Sequence, residues 1–150
     1  MRLAGHGFGI ELLDGWEARL FRRAPYAEHE TTEPVLHLAN FPLTEVRGDF
    51  GAGVVEHMRS GDVFVVVFDH GRAAADQTMF AHDGMPRLTT ADFGGRKLQR
   101  TIAGQVGCQR FFRADGRGLC LYVVVGGGST LGAMLPEINA VIALIDVGGR

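Results

Sequence analysis

The chain has few cysteines, few lysines and no large excess of either charge. Its 150 residues include two cysteines and one lysine, Lys97, and arginine supplies the other 14 of the 15 basic residues. With 17 acidic residues, the formal net charge is −2. A nucleic-acid-binding domain normally carries a basic excess. We therefore expect no nucleic-acid partner.

Long apolar runs are also missing. The longest, at residues 63–68 and 119–125, fall well below the roughly 20 residues that a membrane-spanning helix needs. The opening MRLAGHGFGIELL does not show the charged and then apolar segments of a secretory signal. These absences predict a soluble cytoplasmic protein with no membrane partner. The length favours a single domain over residues 1–150.

The two cysteines flank a turn signal, ADGRG. If residues 115–116 form a two-residue turn between paired strands, Cys120 stands opposite Phe111 and Cys108 stands opposite Val123. Because side chains alternate between the two faces of a sheet, the thiols then lie on opposite faces. The pattern predicts no disulfide, in agreement with a reducing compartment.

Metal-binding patterns are absent from the sequence. The six histidines stand at positions 6, 29, 37, 57, 70 and 82, and no two have the H-x-H or H-x-x-x-H spacing of a metal site. Most should lie at the surface, and we place His37 on a sheet face, partly buried. We expect neither a metal nor another cofactor.

The order of apolar and turn signals predicts an α+β domain with a mostly antiparallel sheet. We expect strands at residues 35–42, 62–71, 97–102, 108–113 and 119–125, a short helix at 50–61, a loop at 72–87, a helical turn at 89–93 capped by Thr90, and a terminal helix at 136–144 with Pro136 in its first turn. The strands at 62–71 and 119–125 are apolar on both faces, so each should be covered above and below.

The first predicted element is a hairpin at residues 7–23, GFGIELLDGWEARLFRR. A two-residue turn at Asp14-Gly15 would put apolar and charged side chains on one face. A three-residue loop, with Gly15 in the left-handed conformation, separates them. This second register pairs Leu12 with Trp16, Ile10 with Ala18 and Phe8 with Leu20.

Three stretches together resemble the PsbP-like superfamily: the opening hairpin with Gly15-Trp16, the central DVFVVVFDHG, and the closing GRGLCLYVVVGGGS followed by PEINAVIALI. This group includes the photosystem II extrinsic protein PsbP, the Ran guanine-nucleotide release factor and many actinobacterial proteins. The resemblance implies an antiparallel sheet sandwiched between helices, an α/β/α sandwich. It also implies a non-enzymatic role as an adaptor or assembly factor. No residue matches the Ran-binding surface, so no site residue is carried over.

The connection GGGSTLG at residues 126–132 has the outline of a nucleotide-binding loop. A P-loop needs a lysine directly after its last glycine, and the only lysine lies far upstream at Lys97. The dinucleotide pattern G-x-G-x-x-G and the nucleophile pattern G-x-S-x-G both fail at Leu131. We interpret the segment as a tight strand-to-helix connection whose glycines supply positive φ angles.

Asp69-His70, at the end of a buried strand, is the best acid–base candidate, because catalytic groups often lie where strands leave a core. No serine or cysteine nucleophile can be placed beside the pair from the sequence. A solvated strand end is the alternative interpretation.

Basic residues concentrate between positions 96 and 117, beside Phe111 and Phe112. They are Arg96, Lys97, Arg100, Arg110, Arg113 and Arg117. Interleaved arginine and aromatic residues serve protein interfaces or single-stranded nucleic acid. They are equally compatible with a solvated sheet face.

These patterns predict a non-catalytic protein-binding domain with an unknown protein partner. The interface candidates are Trp16, Arg110, Phe112 and Arg113. One alternative is a small-ligand-binding or enzymatic domain with a pocket between the sheet and the loop 72–87, using Asp69 and His70. Another is a structural subunit that forms a homo-oligomer through an exposed sheet edge.

Overall fold

A computed structural model describes residues 1–22, 33–43, 54–99 and 101–148. Short 3₁₀ turns connect many of its regular elements. The regular elements are β1 (Arg2–Gly5), β2 (Phe8–Glu11), β3 (Glu17–Arg22), β4 (Pro34–Ala39), β5 (Val63–Gly71), β6 (Val106–Ala114), β7 (Arg117–Val125), α1 (Leu131–Ala143) and β8 (Ile145–Val147).

The strands form two sheets in which every pairing is antiparallel. A large sheet has the order β3-β4-β5-β7-β6, and a small sheet has the order β1-β2-β8. The antiparallel α+β character is therefore confirmed. The strands predicted at 35–42, 62–71, 108–113 and 119–125 correspond to β4, β5, β6 and β7.

The large sheet is apolar on both faces, as predicted for its central strands. On one face, here called the helix face, Val65 and Val123 pack with Phe8 of the small sheet and with Ile138 of α1. On the other, here called the loop face, Phe64 packs in a second cluster. β5 and β7 are buried on both faces, because one face of the sheet packs in the first hydrophobic core and the other face packs in the second.

The expected α/β/α sandwich is wrong, because no α-helix among the described residues covers the loop face of the large sheet. Among the described residues α1 is the only α-helix, and the small sheet shares the helix face with it. The loop face is covered by irregular chain, including Val54, Val55, Leu98 and Ile102. Within the predicted helix at 50–61, the described part is a single 3₁₀ turn, Val55–His57; residues 50–53 lie outside the described residues.

The predicted hairpin at residues 7–23 is also wrong. Gly15 has the expected positive φ of 84°, and the Trp16 N–H donates to the Leu13 carbonyl at 3.1 Å. At this turn, however, the chain passes from one sheet to the other. β2 already has a partner on each side, with Ile10 opposite Leu3 of β1 and Ile145 of β8. β3 therefore pairs with β4 instead.

The β6–β7 hairpin has the predicted register. Cys108 lies opposite Val123 and Phe111 lies opposite Cys120. Asp115, with a φ of 52°, and the following glycine, with a φ of 70°, form the two-residue turn. A two-residue turn with both φ angles positive matches the twist of the strands that it joins. The turn residues alone therefore predicted the register of this hairpin correctly.

The segment at residues 97–102 does not form the expected strand in its described part. Gly94 and Gly107 exchange backbone hydrogen bonds at 2.9 and 3.0 Å, so the edge of β6 is met here by a single bridge. The Gln99 N–H donates to the Tyr122 hydroxyl at 2.7 Å, which draws the chain across the sheet. The turn at Thr90–Asp92 exists, but its cap is Thr89 and not Thr90, since the Asp92 carboxylate accepts the Thr89 N–H.

The C-terminal part differs from the prediction at both ends of the helix. α1 begins at Leu131, so Pro136 is its sixth residue and not part of its first turn. After α1 the chain adds β8, which completes the small sheet beside β2. In the described parts of the chain, no helix combines the length and apolar character needed to cross a membrane.

Candidate functional site

A buried ion pair holds the end of β5. Asp69 is 1% exposed, and Nη1 of Arg117 donates to its Oδ2. The other carboxylate oxygen accepts the Gly71 N–H at 2.8 Å. Nη2 of Arg117 donates to the Gly7 carbonyl at 2.8 Å, and the guanidinium lies 5.3 Å from the centre of the Phe8 ring. The pair therefore ties β5 and β7 to the small sheet.

His70 lies on the opposite face from Asp69. Its ring contacts Phe68, Phe80 and Phe111 on the loop face, with ring centres 4.8, 5.4 and 6.4 Å away. Partial burial lowers the pKa of His70, and the charge of Asp69 opposes that shift. The predicted acid–base pair is thus divided, since Asp69 is held by Arg117 and His70 sits among aromatic rings.

Phe68, His70, Phe80 and Phe111 form what we call the aromatic patch. Phe80 and Phe111 meet edge to face, with centres 5.5 Å apart. Phe68 and Phe111 are half-buried, His70 is exposed, and Met79, next to Phe80 in the chain, is 52% exposed. The sequence does not reveal this patch, because its members come from β5, β6 and the 3₁₀ turn Thr78–Phe80, and the β6–β7 register fixes only that Phe111 stands opposite Cys120.

Two of the interface candidates are core residues, which corrects that part of the prediction. Phe112 is fully buried and Trp16 is 6% exposed. The indole N–H of Trp16 donates to Glu137 of α1 at 3.2 Å. Neither side chain offers a partner much surface. Their apolar character serves the packing of the helix face.

The other two candidates, Arg110 and Arg113, lie on opposite faces of β6. Arg110 pairs with Asp92 at 3.1 Å. Arg113 makes a two-pronged contact with Asp83, at 2.5 and 3.3 Å, beside the aromatic patch. The predicted basic cluster is therefore dispersed: Arg117 is buried, and Arg100 lies outside the described residues.

A cleft of about 560 Å³ opens where the two sheets meet, and we call it the inter-sheet cleft. The small sheet contributes its β1–β2 turn, and the large sheet contributes one end of β3, β4, β5 and β7. Charged side chains line it: Arg22, Glu33, Asp69, Arg72 and Arg117. The predicted alternative was a pocket between the sheet and the loop 72–87, using Asp69 and His70. The cleft is charged, and it includes Asp69 without His70.

The glycine connection cannot present its backbone to a phosphate in the way a P-loop does. The Gly126 N–H donates to the Asp62 carbonyl at 2.9 Å, and the Gly128 N–H donates to the Gly104 carbonyl at 2.8 Å. None of the three glycines has a positive φ, so the expected reason for them was wrong. At Gly126 the reason is close approach of the Arg59 backbone, which an added side chain would block; at Gly127 and Gly128 an added Cβ would first meet side-chain atoms of Ser60 and Val106.

Both cysteines are buried and free. Burial raises the pKa of Cys108 to about 11, and Asp92 adds to that shift. Burial also raises the pKa of Cys120, against a hydrogen bond from Gln109. Because the thiolate is the reactive form, neither thiol is a nucleophile at neutral pH.

We expect both thiols to resist an aromatic disulfide reagent at pH 8 in the folded protein and to react fully in denaturant. A raised thiol pKa also penalises the folded state at alkaline pH. The free energy of unfolding should therefore fall as the pH rises from about 9 towards about 11. Rapid reaction of either thiol without denaturant would contradict the burial of both.

The histidines give no metal centre within the described ranges, where no group of three or more possible ligands comes together. His37 is fully buried and not merely partly so. Its ring lies between Phe21 and Phe64, with centres 4.9 and 5.1 Å away. It is a packing residue of the loop face.

The described fold has the antiparallel sheet that the PsbP-like resemblance implied, without the helices on both sides. The family assignment stays a prediction, because comparison of the chain with protein-family models, curated proteins and solved structures finds no match.

Proposed function

We propose that this chain is a non-catalytic protein-binding domain, acting as an adaptor or assembly factor through the aromatic patch. The observation that carries the proposal is the composition of this surface. Half-buried Phe68 and Phe111 surround the exposed His70, and the exposed Met79 and the Arg113–Asp83 ion pair lie beside them. Aromatic residues, methionine and arginine are the types enriched in protein interfaces.

The state of the reactive side chains also supports a binding role. Asp69 is neutralised by Arg117 inside the protein. His70 faces the other side of the sheet, and both thiols are protonated and buried. Catalysis by nucleophile and base needs such groups within hydrogen-bonding reach of one another. In the described residues Asp69 is paired with Arg117, His70 lies on the other face of the sheet, and both thiols are buried and free.

The opposite orientation of Arg110 and Arg113 provides a matched pair of variants for testing the surface. Arg113→Glu and Arg110→Glu make the same chemical change, and each removes one arginine–aspartate pair. We expect Arg113→Glu to reduce recovery of a protein partner from native lysate about tenfold, as loss of a central arginine contact does. Arg110→Glu should leave recovery close to that of the wild type.

Equal recovery by the two variants, or a loss confined to Arg110→Glu, would overturn the assignment of the surface. Light scattering of the isolated chain settles whether the partner is a second copy of the chain. A dimeric mass that becomes monomeric in Arg113→Glu would identify self-association through this face.

A further inference from the structure

We infer that the protein partner adds a short extended segment to the outer edge of β6, beside the aromatic patch. The inference rests on the proposed function and names the form of the partner. β6 is an edge strand of the large sheet. Other chain meets its outer edge at two places. At the first contact, Gly107 exchanges hydrogen bonds with Gly94. At the second contact, Arg113 donates to the His82 carbonyl and accepts the Gly84 N–H, each at 2.8 Å.

Between these two contacts the outer edge of β6 has a gap. The N–H and C=O of one strand residue point to the same side, and the side alternates along the strand. Gln109 and Phe111 therefore face outward, as Gly107 and Arg113 do. No backbone group of the described residues pairs with either of them on that side. At about 3.3 Å per residue, the gap between the two contacts is about 20 Å long.

The chain that joins the two contacts leaves the edge and packs on the helix face. Within residues 85–93, Leu88 lies in the core of that face. Its N–H donates to Oδ1 of Asn139 and its carbonyl accepts from Nδ2, each at 2.9 Å. Asp92 pairs with the Arg110 side chain on the same face. This segment thus passes the gap without using the backbone groups of the edge.

An extended segment is the occupant that these groups fit. Unpaired edge groups are a template for another strand, and about five residues fill the space opposite residues 108–112. Paired antiparallel, the segment makes up to four backbone hydrogen bonds with Gln109 and Phe111. Residues directly opposite one another share a face. The side chain opposite Phe111 therefore lies on the loop face beside the aromatic patch, where we expect an apolar residue.

The charges near the first contact favour an acidic residue at that end of the segment. Arg96 and Lys97 are exposed, and neither has a carboxylate partner in the part of the chain that the structure describes. Nζ of Lys97 donates to the Asp92 carbonyl at 2.9 Å, which leaves its charge uncancelled. The carboxylates of Asp92 and Asp83 are already paired with arginines of β6. Asp76 acts on the arginine at the second contact.

A second copy of the chain fits this edge poorly. Two β6 strands paired antiparallel about the centre of the gap would place Arg110 opposite Arg110, and like charges directly opposite one another are destabilising. β6 is also nine residues long, so a second β6 would run into both contacts. The gap therefore suits a short segment of a different protein.

Amide hydrogen exchange of the isolated full chain tests whether the edge is open. The N–H groups of Gln109 and Phe111 point outward, and those of Arg110 and Phe112 point to β7. We expect the first two amides to exchange at least about a hundredfold faster than the other two. Equal protection of all four amides would overturn the inference, because the edge would then already be covered.

A titration followed by NMR of the ¹⁵N-labelled full chain tests strand addition. The probe is the blocked peptide Glu-Val-Thr-Val-Glu, and its controls are Lys-Val-Thr-Val-Lys and the acidic peptide N-methylated at both valines. We expect saturable shifts at the amides of Gln109 and Phe111 with the acidic peptide. At constant ionic strength, the lysine peptide should bind at least about tenfold more weakly. The N-methylated peptide should not bind, because it lacks the donors that face β6.

Gln109→Pro and Gln109→Ala are the matched variants of the chain. Both remove the side-chain contact with Cys120, but only proline removes the outward N–H and places a ring in the gap. Proline is tolerated where the N–H of an edge strand faces outward. Gln109→Pro should weaken binding of the acidic peptide at least about tenfold, and Gln109→Ala should bind like the wild type.

The outcomes separate strand addition from the proposed interface. Absence of saturation with the acidic peptide, equal binding of its N-methylated form, or equal affinity of the two variants would overturn the inference. Tighter binding of the lysine peptide would overturn the acidic preference. The same spectra show whether each variant is folded, and the N-methylated peptide tests the wild type itself. Recovery of the partner by Arg113→Glu and Arg110→Glu is measured independently, so the proposed function stands or falls on its own result.

Discussion

Arg117→Met is expected to lower the free energy of unfolding by about 3–5 kcal/mol, because it leaves the Asp69 carboxylate buried without its counter-ion. Asp69 is 1% exposed and Arg117 is 8% exposed, so water replaces little of the lost interaction. The Gly7 carbonyl also loses its donor. Denaturant unfolding at pH 7 measures this change as a lower transition midpoint with an unchanged slope of free energy against denaturant concentration.

The double variant Asp69→Leu, Arg117→Met separates the ion pair from the packing around it. Removing both charges takes away the uncompensated carboxylate, so the double variant should be more stable than Arg117→Met alone. The Gly7 carbonyl and the Gly71 N–H remain without their side-chain partners, so full recovery is not expected. A double variant as unstable as the sum of the two single changes would show that the two residues act independently.

The sequence could not reveal this pair, for a physical reason. Asp69 and Arg117 are 48 positions apart, and each stands at the end of a strand, where a solvated charge is the ordinary expectation. Their burial depends on the small sheet, since Gly7 and Phe8 close over the guanidinium. That sheet is built from distant segments, with Phe8 paired to Val147. No pattern among neighbouring residues predicts the pairing of Phe8 with Val147.

The β6–β7 hairpin is fixed by local chemistry and was predicted correctly. The β6–β7 register follows from two turn residues and the alternation of side chains, and it was correct at Cys108 and Cys120. The hairpin at residues 7–23 had an equally good local pattern and was wrong. His6 and Gly7, with φ angles of 49° and 81°, make a closer turn that pairs β2 with β1. The His6-Gly7 turn therefore gives β2 its hairpin partner, and the turn at Gly15 does not.

The interface candidates show a second limit of local patterns. In β6 the neighbours Phe111 and Phe112 must point to opposite faces, but the sequence does not say which face is covered. Both faces of the adjacent β7 are apolar, so alternation gave no preference. The helix face took Phe112 into the core, whereas Phe111 stayed half-buried beside His70. Phe112 is the buried residue of the two because it packs in the same core as Ile138 of α1 and Phe8 of β2, which are remote in sequence.

Gly126→Ala is expected to destabilise the fold by about 3 kcal/mol or more, through overpacking against backbone. A Cβ at this position would lie 1.9 Å from the carbonyl oxygen of Arg59 and 2.9 Å from its carbonyl carbon. The backbone at Arg59 cannot rotate away as a side chain could. Relief of the clash must separate β7 from the turn before β5 and strain the hydrogen bond from Gly126 to Asp62.

Gly132→Ala, in the same GGGSTLG segment, is the matched control. It is the second residue of α1, where an added Cβ meets nothing within 4 Å, so alanine should stabilise the helix, by less than the roughly 1 kcal/mol expected in a helix interior. Thermal and denaturant unfolding of the two variants should therefore change in opposite directions. If Gly126→Ala unfolds at the wild-type midpoint, close backbone approach cannot be why this glycine is present. If the unfolding midpoint of Gly126→Ala is lower than that of the wild type and the midpoint of Gly132→Ala is higher, the segment is a structural connection. Its first glycine then allows the backbone at Arg59 to approach closely.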